Sequence, residues 1–160
     1  MNTDATFEEL GRLYRRLPAK HELDFEEITT PATAVTDDEL RQVEELTGCT
    51  LPPLARAFYK SEVARRSPAG VPPFRGFYST GEELIARCQE LRDAKEEYGW
   101  DHPPLIPLTA EEDFLACTED GEVVRFCGNE GNTDPEDGVS NLEQFFAFLT
   151  EEAKRALEAD

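Results

Sequence analysis

A chain of 160 residues is about one domain in length and can bury a core without disulfides or metal. Its 16 basic and 35 acidic residues leave a formal net charge of −19, which repels nucleic acid and argues against direct DNA or RNA binding. No apolar run approaches the roughly 18 residues of a membrane span. The opening Met1-Asn2-Thr3-Asp4-Ala5 lacks the basic-then-apolar order of an export signal, so a cytoplasmic protein with no membrane partner is expected.

Thr6 to Leu17 is predicted as the first helix. Thr6 with Glu9 three positions later forms a capping-box pattern. Phe7, Leu10, Leu13, Tyr14 and Leu17 make one apolar stripe at helical spacing. Pro18 is expected to end it. Residues 18–35 show little periodicity. Leu23, Phe25 and Ile28 alternate with acids, as in an edge strand or an extended connection, and Pro31 argues against continuation. Thr36 and Glu39 repeat the capping box at a second helix. Its inward residues are Leu40, Val43 and Leu46, and Gly48 is a left-handed stop. After the extended link Cys49 to Pro53, a third helix carries Leu54, Ala57 and Phe58 on its apolar face.

Residues 61–73 are rich in Pro and Gly and read as a loop, and Phe74 to Tyr78 as a strand. Ser79 or Thr80 caps a helix reaching Tyr98, with Leu84, Ile85, Cys88 and Leu91 inward and Gly99 as its stop. Beyond the His102-Pro103-Pro104 turn the period changes to two. Strands are predicted at Leu105 to Leu108, Asp113 to Cys117 and Glu122 to Cys127, with Asp120-Gly121 as a hairpin turn. Gly128 to Gly138 is predicted to be an exposed loop. Ser140 caps the closing helix, Glu143 completes its capping box, and Leu142, Phe145, Phe146, Leu149, Ala153 and Ala156 line its buried side. The order predicts an α+β fold, a small and mostly antiparallel sheet with helices packed on it, in one domain over residues 1–160.

Several segments in this order resemble the SUKH superfamily, which includes the yeast Smi/Knr cell-wall regulators and many bacterial immunity proteins. The opening helix matches through Thr36-Asp37-Asp38-Glu39-Leu40, Val43-Glu44, Leu46-Thr47-Gly48, Leu51-Pro52 and Phe58-Tyr59. The middle matches through Phe77-Tyr78-Ser79-Thr80-Gly81-Glu82-Glu83-Leu84. The sheet matches through Leu105-Ile106-Pro107-Leu108, Asp113-Phe114-Leu115-Ala116-Cys117 and Gly121-Glu122-Val123-Val124-Arg125-Phe126. The closing helix matches through Val139-Ser140-Asn141-Leu142 to Leu149. The resemblance covers about residues 36–150. It implies a binding module with no catalytic residues to carry over. Bacterial members typically neutralise toxins, often nucleases, and fungal members act as scaffolds or regulators. An immunity protein is therefore the first expectation, and a cytosolic scaffold or regulator with an endogenous partner the second.

The charge is unevenly spread. Residues 1–108 hold 20 acids and 13 bases, and residues 109–160 hold 15 acids and 3 bases. Glu111, Glu112, Asp113, Glu119, Asp120, Glu130, Asp134, Glu136 and Asp137 fall in or beside turns of that half. Such carboxylates would attract a basic partner protein and could stand in for phosphates in a nuclease groove. The alternative is a solvated surface that serves solubility. Trp100, the only tryptophan, has two readings: an interface anchor, or a lid on the core between helix and sheet.

Asn132 to Gly138 lacks the ligand spacing of an EF-hand, and no calcium site is expected. Cys49, Cys88, Cys117 and Cys127 form no Cys-x-x-Cys pair and read as reduced core thiols, with no metal and no cofactor expected. His21 and His102 lie beside no nucleophile motif and read as surface turn residues. Carboxylate pairs suited to hydrolysis arise by chance in so acidic a chain, so no enzyme is expected. Nothing in the pattern specifies an oligomeric state.

Overall fold

The computed structural model describes residues 3–21, 34–61, 78, 80–110, 113–136 and 138–158. Helix α1 spans Thr3–His21. It buries Phe7, Leu10 and Leu13, as the stripe predicts. Both ends differ from expectation. The helix starts three residues before Thr6, so Thr6 lies inside it and is not the cap. It also runs three residues beyond Pro18. Proline lacks one helical N–H and crowds the preceding turn, but near a terminus little helix remains to be interrupted.

Helix α2 spans Asp37–Thr47 and begins on a complete capping box. The Glu39 N–H donates to Thr36 Oγ1 at 3.1 Å, and the Thr36 N–H donates to Glu39 Oε1 at 3.0 Å. Such a cap contributes about 1 kcal/mol. Helix α3 spans Pro53–Lys60 and buries Ala55, Phe58 and Tyr59. Phe58 packs against the rings of both Phe7 and Phe146, at centroid distances of 6.2 and 5.2 Å. The Tyr59 hydroxyl donates to the Pro107 carbonyl and ties α3 to the sheet. Residues 74–77 of the strand expected over Phe74 to Tyr78 lie outside the described residues, as do Leu23, Phe25 and Ile28. Tyr78 is buried, and its hydroxyl donates to the Thr109 carbonyl at 2.9 Å. Helix α4 spans Gly81–Tyr98, capped by Thr80.

Strands β1 (Ile106–Pro107), β2 (Leu115–Cys117), β3 (Val123–Cys127) and β4 (Asn132–Pro135) form one antiparallel sheet in that order. The first three fall inside the predicted strands. The Asp120-Gly121 turn joins β2 to β3, with the Gly121 N–H donating to the Thr118 carbonyl at 3.0 Å. Strand β4 corrects the loop predicted for Gly128 to Gly138. Asn132, Asp134 and Pro135 are exposed, so no apolar alternation marked the strand. The register explains how proline is accommodated. The Phe126 N–H donates to the carbonyl of Phe114, the residue just before β2, so Arg125 and Cys127 turn their polar backbone towards β4. Their partners are Asp134 and Asn132. Pro135 therefore faces away from β3, on the side where no further strand lies among the described residues, and there it costs no ladder bond and offers no donor to another chain.

Helix α5 spans Leu142–Glu158 and buries Leu142, Phe145, Phe146, Leu149 and Ala153. Its cap sits one residue later than predicted. The Gln144 N–H donates to Asn141 Oδ1 at 2.9 Å, and Gln144 Oε1 accepts from the Ser140 N–H at 2.8 Å. Asn141 and Gln144 thus take the roles expected of Ser140 and Glu143.

Alternation along the strands gives the sheet two apolar faces. Leu115, Cys117 and Val123 join the main core with α1, α2, α3 and α5. Phe114, Ala116 and Phe126 form a smaller cluster with Leu105, against which Leu91, Trp100 and Val124 pack.

Candidate functional site

The register that builds β3 and β4 also sorts the acidic residues. Leu115 pairs with Arg125 and Arg125 with Asp134, so Asp113, Arg125, Cys127 and Asp134 share a face by the period of two. This face is apolar at Leu115, Cys117 and Val123 and becomes acidic towards the β3–β4 turn. Asp113 is exposed but anchored. Its Oδ1 accepts from the Gly128 N–H at 2.9 Å, and its carbonyl accepts from Arg125 Nη1 at 2.8 Å. Glu130 is exposed on the turn and accepts from Asn132 Nδ2 at 3.2 Å. Asp134 Oδ2 accepts from the Cys127 thiol at 3.4 Å.

Cys127 reports how closely these acids gather. Its thiol is held above its usual range, first by partial burial, then by the Asp134 hydrogen bond and the negative charges of Asp134, Asp113 and Glu130. Unlike Cys49, Cys88 and Cys117, Cys127 is not fully buried, so the expectation of four core thiols holds for three. Burial, reinforced by Glu119 and Glu44, pushes the Cys49 thiol up to about 11. Burial pushes Cys88 up to about 12.

Arg125 stands inside the acidic face and is engaged there. Its Nε and Nη2 donate to the two carboxylate oxygens of Glu136 at 2.7 and 3.1 Å. Among the described residues, Asp113, Glu130 and Asp134 have no salt-bridge partner, and all three are exposed. The remaining candidates are elsewhere. Glu119 and Asp120 occupy the β2–β3 turn at the other end of the sheet, roughly 15 Å away by strand rise. Glu119 is committed structurally, accepting from the Thr50 N–H at 3.3 Å. Glu111, Glu112 and Asp137 lie outside the described residues.

Trp100 lies on the opposite face, at the same end as the β3–β4 turn. Its ring meets Phe126 edge-on at 5.9 Å and stacks on Tyr98 at 5.3 Å. Gly131, with φ +69°, lies so close that an added Cβ would fall 1.9 Å from Trp100 Cδ2. The half-buried indole therefore acts as a lid on the smaller core, the second of its two readings. Sequence reasoning misses Tyr98 as a candidate. It is the one large hydrophobic side chain exposed among the described residues, at 64%. Its place as the last helical residue before Gly99 is the available signal.

His102 is not the surface histidine expected. Its ring packs edge-on against Phe126 at 5.1 Å, and its buried Nε2 has no hydrogen-bond partner among the described residues. Burial holds its pKa below the usual histidine value, with a smaller push from Lys95, against the raising effects of the Pro103 carbonyl and Asp101. Beside it is a cavity of about 30 Å³ lined by Leu46, Cys88 and Lys95 among others. The His21 side chain lies outside the described ones. Among the described residues no three His, Cys, Asp or Glu side chains gather as metal ligands, and no helix is long and apolar enough to cross a membrane.

Helices on a four-stranded antiparallel sheet, with charged and aromatic residues gathered at one sheet end, make this an α+β module. The chain belongs to the SMI1 / KNR4 family (SUKH-1), whose model matches residues 34–150. The family is of the toxin-immunity type and generally non-catalytic. None of the curated proteins matches the chain. Helix α1 precedes the matched span, yet Phe7, Leu10 and Leu13 belong to the same core as Leu40 and Phe146.

Proposed function

We propose that this protein is a non-catalytic immunity protein of the cytoplasm, a single domain that neutralises a basic toxin, best read as a nuclease, by occluding its working surface. The observation that carries this reading is the negative charge of Asp113, Glu130 and Asp134, which have no salt-bridge partner among the described residues, at the sheet end where Trp100 and Tyr98 lie on the other face. Carboxylates held on a rigid sheet steer a cationic partner into register. The aromatic residues at that end supply the kind of contact area that dominates binding energy. Glu136 supports this surface from within the fold, through Arg125, whereas Glu119 is engaged with the Thr50 N–H at the far end. Asp120, at the far end, would add only long-range attraction.

The test is capture from cells of the source organism at about 50 mM and about 500 mM salt, conditions that bracket strong and weak screening. The wild type and the triple variant Asp113→Lys, Glu130→Lys, Asp134→Lys serve as bait. Retention at low salt of one basic protein whose toxicity is relieved by the wild type and not by the variant is expected. Equal retention by both baits, or capture of endogenous regulators alone, refutes the immunity reading.

A further inference from the structure

A groove of about 160 Å³ opens between α4 and the outer face of the sheet, lined by Arg87, Leu91, Ala94, Trp100, Phe114 and Phe126 among others. Its floor is aromatic. Phe114 and Phe126 stack at a centroid distance of 4.9 Å, and Trp100 stands over Phe126 as one wall. The Arg87 guanidinium lies 5.3 Å over the Phe114 ring and extends this flat surface. Its Nη2 donates to the Ala110 carbonyl at 3.2 Å, and Nη1 is 4.0 Å from Glu90, so the single cation in the groove is already engaged.

Size and surroundings point to one kind of occupant. An apolar cavity near 150 Å³ is large enough to hold a benzene ring, and ring-on-ring contact rewards an aromatic occupant beyond its burial. The lip is acidic. Glu90 lines the groove, and so does Gly128, whose N–H is held by the Asp113 carboxylate. Glu130 is on the same turn as Gly131, the residue that touches Trp100. We infer that this groove receives an aromatic side chain carried on a basic segment of the partner protein, with flanking Lys or Arg residues meeting Glu90, Asp113 and Glu130. The inference rests on the proposed binding of a basic protein and names the anchor it would use.

Trp100 is the only tryptophan, so its fluorescence reads the groove wall directly. The probes are three synthetic peptides: Lys-Arg-Phe-Arg-Lys, Lys-Arg-Ala-Arg-Lys and Glu-Asp-Phe-Asp-Glu. The basic phenylalanine peptide is expected to change Trp100 emission saturably and to bind about tenfold more tightly than the alanine peptide. The acidic peptide is expected to give no response. Filling the groove by Ala94→Phe abolishes the advantage of phenylalanine over alanine. Amide shift mapping on the wild type locates the contact even if that variant unfolds. Equal binding of the two basic peptides overturns the groove while leaving the basic-partner reading intact. Absence of binding by either basic peptide overturns both. A response to the acidic peptide equal to the basic one overturns the charge complementarity.

Discussion

Gly131→Ala separates two costs that a glycine can conceal. At φ +69° an alanine adopts a left-handed conformation that costs about 1 kcal/mol. Its Cβ would also lie 1.9 Å from Trp100 Cδ2. An ordinary carbon contact is about 3.5 Å, so the indole must retreat by roughly 1.5 Å. The neighbour is a ring held between Tyr98 and Phe126, not the free end of a flexible chain. Losing about half of a tryptophan's burial, on the order of 100 Å², costs about 2.5 kcal/mol. The total is about 3.5 kcal/mol. Gly48 is the control: its φ is also +69°, and an added Cβ there would meet nothing within 4 Å, so Gly48→Ala carries only the conformational part. Urea unfolding followed by far-ultraviolet circular dichroism measures both. In a Trp100→Ala background, Gly131→Ala is expected to fall to the Gly48→Ala value. If Gly131→Ala and Gly48→Ala cost the same in the wild-type background, the account of Trp100 as a fixed lid is wrong.

Three further predictions follow from particular contacts. Asn141→Ala should destabilise by about 1 kcal/mol and Ser140→Ala by less than about 0.5 kcal/mol in the same urea assay, since Asn141 holds the first turn of α5; the reverse order contradicts the cap assignment. Cys127 should react slowly with a thiol reagent at pH 8 despite its exposure, and Asp134→Asn should accelerate it by lowering the thiol pKa; an unchanged rate removes Asp134 from the thiol's surroundings. His102 is depressed in the fold, so its neutral form is favoured there. Its contribution is complete above the unfolded value near 6.5 and is lost as pH falls through the lower folded pKa. The urea midpoint of the wild type should therefore decline more between about pH 7.5 and about pH 5 than that of His102→Gln, and parallel declines would show that the ring is not desolvated.

The features legible in the sequence were those that act within a few residues. Thr36 with Glu39, Thr80 before α4, and the Asp120-Gly121 turn carry their own hydrogen-bond logic, and each stands where expected. The apolar stripes likewise named Phe7, Leu10 and Leu13 of α1 and Leu142, Phe145, Phe146, Leu149 and Ala153 of α5 as buried. Strand β4 was invisible because an edge strand with little burial shows no alternation, and its proline fits only because of the register. The closing cap slipped by one residue because Ser140 and Asn141 are both competent caps, and the Glu122–Asn141 bridge beside them is a tertiary contact. The acidic residues could be counted but not grouped. Only the pairing of β2, β3 and β4 puts Asp113 and Asp134 on one face of the sheet, separates them from Asp120, and gives Glu136 to Arg125. Tyr98 escaped notice because helical spacing alone does not show which end-of-helix side chains the fold leaves exposed.

The most direct test of a basic partner held at this end of the sheet is the salt dependence of affinity for the captured protein, by calorimetry between about 0.1 and 0.5 M salt. The wild type should lose about tenfold or more in affinity over that range, mostly through slower association, while the triple lysine variant should bind weakly throughout. An affinity that does not change with salt, or a lysine variant that binds as tightly as the wild type, would contradict the claim.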